Sequence, residues 1–206
     1  MIFTGCRRGE IMGLKWNKVD FKKNQIKIDT NLLYSKDRGI YEDTPKTEQS
    51  KRVISIPVEM TEMLKFYKKQ YNENRLALGS KWNNTNFLFT QENGNPMHPD
   101  TLTDYCSEFS IKYNKKINIE NKNKKEDEKL KLLPHINPHA FRHTQASLLL
   151  FAGTDCITIS KRLGHSKVST TTDIYSHLMQ KADETASDTL ANILLSPQNK
   201  EKQVNS

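Results

Sequence analysis

The chain has 206 residues, of which 35% are hydrophobic and 27% are charged, a composition typical of a water-soluble globular domain and not of a fibrous or disordered chain. Lys and Arg outnumber Asp and Glu by 32 to 24, and the resulting net charge of +8 favours a polyanionic partner such as nucleic acid. No stretch approaches the ~20 apolar residues of a membrane span. Cys6, Cys106 and Cys156 lie far apart and form no C-x-x-C motif, so neither a disulfide framework nor a zinc ribbon is expected. A reducing, cytoplasmic location fits this cysteine usage.

The first part of the chain predicts a short helix followed by a small sheet. "GEIMGLKW" has apolar residues at helical spacing over roughly two turns. Residues 19–33 alternate between apolar and polar around a "KKN" turn, which indicates two strands, and residues 52–57 indicate a third. Residues 34–51 are polar and are predicted to form a long hairpin loop.

Two helices are predicted in the middle of the chain, separated by a short apolar strand, "NFLFT". Pro99 stands near the start of the second helix, and Gly79 ends the first. Met60, Met63, Leu64, Tyr67 and Tyr71 form one stripe of the first helix and are expected to pack in the core. The second helix is indicated by the helical spacing of Leu102, Tyr105, Cys106 and Phe109.

The last third begins with a Lys/Asn/Glu-rich segment, 112–131, which is predicted to be a solvated loop. Asn137 and Pro138 then provide the N-cap and first turn of a helix that stops at Gly153. Thr154 is expected to cap a second helix and Ser169 a third, followed by a C-terminal helix over 183–195 and a frayed tail over 196–206. The predicted class is therefore mainly α with a small three-stranded antiparallel sheet, that is, α+β.

The stretch "PHAFRHTQASLLLFAGT" raises the question of a metal site. His139 and His143 are four residues apart, as two ligands of one metal would be, but the zinc-protease pattern requires Glu directly after the first histidine, where this chain has Ala140. His139 and Arg142 are three residues apart and leave the same face of a helix N-terminus, where they can bind an anion. No metal and no cofactor are therefore expected, although a solvated arginine beside a capping histidine remains the simpler alternative for this stretch alone.

Other stretches carry the residue types that phosphate chemistry needs. They are "TGCRRGEIMGLKW", "TPKTEQSKRVISIP" and "KRLGHSKVSTTTDIYSH". With the helix start above, these stretches resemble the tyrosine recombinase (phage integrase) family, specifically its catalytic domain. The four stretches occur in the family's order and span residues 4–177. Their residues are most similar to those of integrases of Gram-positive phages and conjugative transposons.

The resemblance implies a role for each matching residue. Two arginines would hold the scissile phosphate, a lysine would protonate the leaving 5′ oxygen, two histidines would donate to the phosphate, and a tyrosine would become a 3′-phosphotyrosine. In that order these residues are Arg7 and Arg142, Lys46, His139 and His165, and Tyr175. Glu10 would support the first arginine and His177 would support the site. Arginines and imidazoles can offset the charge of a pentavalent phosphorane electrostatically, and the covalent intermediate conserves the bond energy without ATP.

Several assignments have rivals in the sequence. Arg8 competes with Arg7, and both Lys36 and Lys51 compete with Lys46. His143 is expected one turn deeper, outside the catalytic set.

The resemblance also implies partners and a domain layout. Double-stranded DNA, a homo-tetramer assembled on it, and an excisionase-type accessory protein are the expected partners, with no membrane. Relatives usually carry a separate core-binding domain and further helices before this region, so residues 1–182 are expected to be an N-terminally truncated catalytic domain. Three alternatives stay open: an inactive DNA-binding remnant, a helix-turn-helix regulator using 154–164 and 169–180, and a type IB topoisomerase.

Overall fold

The computed structural model describes residues 1–44, 50–122, 124–169, 171–172, 187 and 189–191. Within these ranges, the helices are α1 (Arg8–Met12), α2 (Val58–Leu78), α3 (Thr101–Asn121), α4 (Pro138–Phe151) and α5 (Cys156–Leu163). The strands are β1 (Val19–Asp20), β2 (Gln25–Ile28), β3 (Asn31–Ser35), β4 (Gly39–Asp43) and β5 (Arg52–Ser55). The α+β class predicted from the sequence is confirmed. No helix in these ranges is both long and apolar enough to cross a membrane.

The predicted three-stranded sheet is present, with the order β1-β2-β5 and antiparallel pairing throughout. Ile26 lies opposite Ile54 in the register, and both face the core with 1% and 2% of their surface exposed. Lys27 and Val53 point to the other face and are exposed. This alternation is what the sequence pattern requires of a sheet with one buried face.

The prediction of a loop over 34–51 was wrong for its first half. β3 and β4 form a second, two-stranded sheet in which Ser35 pairs with Gly39 around a three-residue turn. Gly39 has φ +67°, the conformation that closes such a hairpin. The hairpin is held in place because Leu32 is buried in a cluster with Met12 of α1 and with Phe87.

The main core lies between the three-stranded sheet and α2. Leu64 and Tyr71 of α2 are buried against it, while Met60 and Tyr67 pack at its edge. Met63 is 60% exposed, so its place in the predicted stripe was wrong. It precedes the buried Leu64 and lies outside the face of α2 that packs on the core. α2 ends at Leu78 before Gly79, as predicted. The segment "NFLFT" forms only isolated bridges, one of them between Lys15 and Phe87.

The predicted loop over 112–131 was wrong for its first half, because α3 continues to Asn121. The extension is stabilised by packing, since Ile117 is only 4% exposed. Asn114 and Asn121 hydrogen-bond the backbone of the returning segment at Leu133 and Leu130, in each case as both donor and acceptor. Tertiary contacts therefore make this segment helical, although its composition alone favours a loop.

α4 and α5 pack against each other through Ala146, Ile159 and Leu163, and they carry two of the four motif stretches. Asn137 caps α4 by accepting from the backbone N–H of Ala140 at 3.0 Å, with Pro138 in the first turn, as predicted. α5 is capped by Asp155 and not by Thr154, because the Asp155 carboxylate accepts from the N–H of Thr158. The predicted helix after Ser169 and the elements predicted over 183–206 fall largely outside the described residues.

Candidate active site

The segment before α1 places the first predicted arginine next to α4 and α5. Gly5 has φ +63°, and a Cβ there would lie 2.1 Å from the Gln145 side chain and 2.6 Å from that of Leu163. Only glycine fits this close approach. The chain therefore passes directly between α4 and α5 and leaves Arg7 at the start of α1, facing the end of α5.

Arg7 is held by two groups. Its Nη1 donates to Oε1 of Glu10 at 2.9 Å, and its Nη2 donates to the carbonyl of Gly164 at 3.1 Å. The backbone N–H of Arg7 also donates to Glu10 Oε2 at 2.8 Å. The side chain of Arg7 is nonetheless 43% exposed, so it remains accessible to a ligand from solvent. It borders a cleft that Asn31, Asp43 and Ser50 also line.

Glu10 is buried, at 3% exposure, and is shared between two arginines. Arg52, the first residue of β5, donates from Nη2 to Oε2 at 2.8 Å and from Nη1 to Oε1 at 3.1 Å. Burial by itself would raise the pKa of Glu10, but the hydrogen bonds and charge of Arg52 and Arg7 outweigh it and lower the pKa. The negative charge of Glu10 is thus compensated within the site by Arg7 and Arg52.

Among the predicted site residues that the structure describes, Arg142 is the most buried, at 2% exposure. Its Nη1 donates to the carbonyl of Gly5 at 2.6 Å, but its buried Nη2 has no partner among the described residues. Burial, followed by the charge of Arg7, lowers the pKa of Arg142 to about 10. A buried guanidinium with an unsatisfied nitrogen carries a large desolvation cost, and an anion is the ligand that would offset it.

His139 and His143 lie one turn apart, with ring centroids 4.6 Å apart and nearly perpendicular planes. His139 is exposed, whereas His143 is half-buried. Burial of its ring, then the charges of His143, Arg142 and Arg7, lower the pKa of His139. His139 therefore faces the same electropositive region as the two arginines.

His165 follows directly after the left-handed residue Gly164, which ends α5 at φ +67°. Its Nδ1 shares a hydrogen bond of 2.9 Å with the hydroxyl of Thr171, which is itself fully buried. Burial, then the charge of Arg142, Arg7 and Arg52, lower the pKa of His165 to about 4. The imidazole is neutral at pH 7 in the free chain, and a bound anion would favour its protonation.

The arrangement can therefore bind an oxyanion. Arg7, Arg142 and His165 come from three separate parts of the chain. The fold brings them together, because Arg7 donates to the carbonyl of Gly164, the residue before His165, and Arg142 donates to the carbonyl of Gly5, two residues before Arg7. His139 lies on α4, one turn before Arg142. Glu10, the buried carboxylate beside Arg7, is already paired with Arg7 and Arg52. In the described part of the chain no group of three or more His, Cys, Asp or Glu side chains is placed to hold a metal ion.

The structure also separates rivals left open by the sequence. Arg8 points away from the cluster and pairs with Asp100, with its Nη1 also 3.1 Å from the Thr103 hydroxyl. Arg7, and not Arg8, therefore lies beside Arg142 and His165. Lys46, Tyr175 and His177 lie outside the described residues, so their positions relative to the cluster stay predictions.

Sequence reasoning missed Arg52, a residue in contact with the site. Its side chain is only 7% exposed, which nothing in "SKRVISIP" indicates, because a basic residue at the start of a strand is ordinarily solvated. A pairing across 42 residues cannot be read from local patterns.

Comparison with known proteins assigns this chain to a family. The profile of the phage integrase family matches residues 1–182, and the chain belongs to that family. A tyrosine recombinase XerC-like protein of Caldanaerobacter subterraneus subsp. tengcongensis is 31% identical, over 93% of this chain and 47% of its own length. The ICEBs1 integrase of Bacillus subtilis is 30% identical, over 93% of this chain and 46% of its own. The chain thus spans about half the length of the curated relatives it matches.

Solved structures agree with the family assignment. The integrase of transposon Tn1549, in complex with transposon right end DNA, superposes with a TM-score of 0.73 at 27% identity, covering 92% of this chain and 56% of that one. The fold is that of a tyrosine recombinase catalytic domain. The class predicted from the order of the four motifs is confirmed.

Proposed function

We propose that this chain is the catalytic domain of a site-specific DNA recombinase that breaks and rejoins strands through a covalent 3′-phosphotyrosine. The observation that carries the proposal is the buried guanidinium of Arg142, with Nη2 unsatisfied among the described residues and with Arg7 and His165 beside it. These groups suit a phosphodiester, which presents two non-bridging oxygens to bidentate donors.

In the proposed reaction, the Tyr175 hydroxyl gives its proton to a neighbouring acceptor as its oxygen attacks the scissile phosphorus, and the bond from phosphorus to the 5′ oxygen breaks. Arg7 and Arg142 hold the non-bridging oxygens, and with His139 and His165 they stabilise the charge of the phosphorane. Lys46 donates the proton that the leaving 5′ oxygen takes up. Rejoining reverses the step, when a 5′ hydroxyl attacks the phosphotyrosine and the tyrosine oxygen leaves. Glu10 and His177 support the site without contacting the phosphate.

The partner in this proposal is double-stranded DNA at recombination sites in the cytoplasm. The net charge of +8 and the DNA-bound Tn1549 integrase support DNA as the ligand. Assembly as a homo-tetramer on two sites, and modulation by an excisionase-type protein, follow the family pattern and belong to the same proposal.

The test is formation of a covalent adduct. The chain is incubated with a pool of nicked duplexes, randomised over the half-site, in which cleavage releases a short fragment and traps the intermediate. We expect a denaturant-resistant protein–DNA adduct that vanishes in Tyr175→Phe and persists in Tyr105→Phe, which removes a hydroxyl from an exposed tyrosine of α3. An adduct that survives Tyr175→Phe contradicts the nucleophile assignment. DNA binding without an adduct from any member of the pool supports the non-catalytic remnant instead.

A further inference from the structure

The guanidinium of Arg52 makes so many contacts within the chain that it cannot also bind an anion. Its Nε donates to the carbonyl of Arg162 at 2.7 Å, and its Nη1 donates to the carbonyl of Ser50 at 3.0 Å in addition to Glu10. Its Nη2 donates to Glu10 and lies 3.7 Å from the sulfur of Cys6. Every nitrogen of this guanidinium is therefore engaged by the chain itself, and none is left for a phosphate.

These contacts connect three parts of the site. Glu10 lies on α1 and holds Arg7, Arg162 lies in the last turn of α5, and Ser50 follows the segment that contains Lys46. The end of α5 also approaches Arg52 closely, because a Cβ on Gly164 would lie only 2.6 Å from its Nη1. His165 is the next residue, so its position depends on where this helix end is held.

The C-terminal end of α5 is a favourable place for this guanidinium. The last carbonyls of a helix carry partial negative charge and lack intrahelical donors. Arg52 satisfies the carbonyl of Arg162, while Arg7 satisfies that of Gly164. The Glu10 carboxylate lies between the two arginines and keeps them together despite their like charge.

We propose that Arg52 is a positioning residue of this site: its guanidinium ties the Glu10 carboxylate that holds Arg7 to the helix end from which His165 extends. The inference rests on the proposed function, because it assigns Arg52 a role in presenting the phosphate-binding groups. Arg52 itself does not touch the substrate.

The substitution Arg52→Lys tests this role, because it keeps the charge but removes the bidentate geometry and the Nε contact. Glu10 is faced by Arg7 from its own helix, by Arg52 from β5, by the Cys6 thiol and, at longer range, by Arg142 from α4. With Arg52 lost and the carboxyl still buried, the pKa of Glu10 rises toward and above its ordinary value. We expect this rise in a ¹³C NMR titration of Glu10, together with at least a threefold loss of affinity for inorganic phosphate.

The matched control is Lys18→Gln, which breaks the ion pair between Lys18 Nζ and Asp29 Oδ2 away from the site. A purely structural role predicts that both variants lower the free energy of unfolding in urea and that neither changes the affinity for phosphate. The positioning role predicts that only Arg52→Lys changes the Glu10 titration and phosphate affinity. In the adduct assay we expect adduct formation to slow by roughly 10- to 100-fold, the size of effect that follows misplacement of a reacting group by about 1 Å.

If Arg52→Lys does not fold, Glu10→Gln tests the same link. Removing a negative charge beside two arginines should strengthen phosphate binding on charge alone, whereas loss of the positioning carboxylate weakens it. Weaker binding supports the inference, and stronger binding overturns it. An unchanged Glu10 titration and phosphate affinity in folded Arg52→Lys also overturns it. A parental chain that binds phosphate but forms no adduct refutes the recombinase proposal alone, because the titration and phosphate readouts still decide the role of Arg52.

Discussion

Replacing Arg142 with methionine should remove anion binding without destabilising the free chain. The pKa of Arg142 is lowered to about 10, chiefly by burial. This value lies about 2.5 pH units below the ordinary one for arginine, which corresponds to a cost of ~3.4 kcal/mol for keeping the guanidinium charged in the empty site. Because the folded-state pKa is depressed, that cost is present at every pH below about 10 and is constant between pH 5 and 9.

The substitution also loses the bond from Nη1 to the Gly5 carbonyl, which leaves that buried oxygen unsatisfied. Such a loss costs roughly 1–3 kcal/mol. Methionine has a similar length and no charge, and replacing buried ions with apolar side chains is often stabilising by 1–4 kcal/mol. The expected result is a free energy of unfolding that is unchanged or raised by ~1 kcal/mol, measured by urea unfolding at several pH values.

Sulfate supplies the second half of this experiment. A site with a dissociation constant of ~10 mM would stabilise the parental chain by about 1.4 kcal/mol at ~100 mM sulfate. General salting-out affects both chains alike, so the Arg142→Met chain is its own control. The reasoning is refuted if Arg142→Met loses 2 kcal/mol or more, or if sulfate stabilises the two chains equally. Arg142 would then be a structural cation.

Three further outcomes follow from the geometry. The pKa of His165 is lowered to about 4, so its contribution to the free energy of unfolding should be complete above pH ~6.5 and be lost as the pH falls toward 4. Urea unfolding at several pH values should show a smaller dependence on pH for His165→Gln. Gly164→Ala should cost more in thermal or urea unfolding than Gly153→Ala: both residues have positive φ, but only the first Cβ meets Arg52. Asn137→Ala should lose about 1 kcal/mol by removing the α4 cap, whereas Asn137→Asp should retain it.

Local signals predicted the parts of the fold whose causes are local. The start of α4 was predicted because Asn137 and Pro138 act on their own helix, and the end of α2 because Gly79 takes a positive φ of 54°. The shared orientation of His139 and Arg142 followed from helical spacing for the same reason. The grouping of four distant stretches needed the family resemblance, since no local pattern joins Arg7 to Arg142.

The remainder depends on contacts between distant residues. The continuation of α3 past residue 112 depends on Asn114 and Asn121 binding the returning chain, and the β3–β4 hairpin depends on Leu32 meeting α1. Arg52 was missed because its burial results from Glu10 and the end of α5 together. Such pairings depend on tertiary packing, and the composition and spacing of a single segment do not identify a distant partner.

The bond between Arg7 and Gly164 spans 157 residues. During synthesis at about 5–20 residues per second, roughly 8–30 s pass between the translation of its two ends. The bond from Arg142 to the carbonyl of Gly5 spans 137 residues and likewise forms only after α4 has been translated. A ribosome-bound, partly made chain therefore carries its first arginine without the groups that would complete a phosphate site. The proposed phosphate site therefore cannot be complete until Gly164 and His165 have been translated and the two long-range bonds have formed.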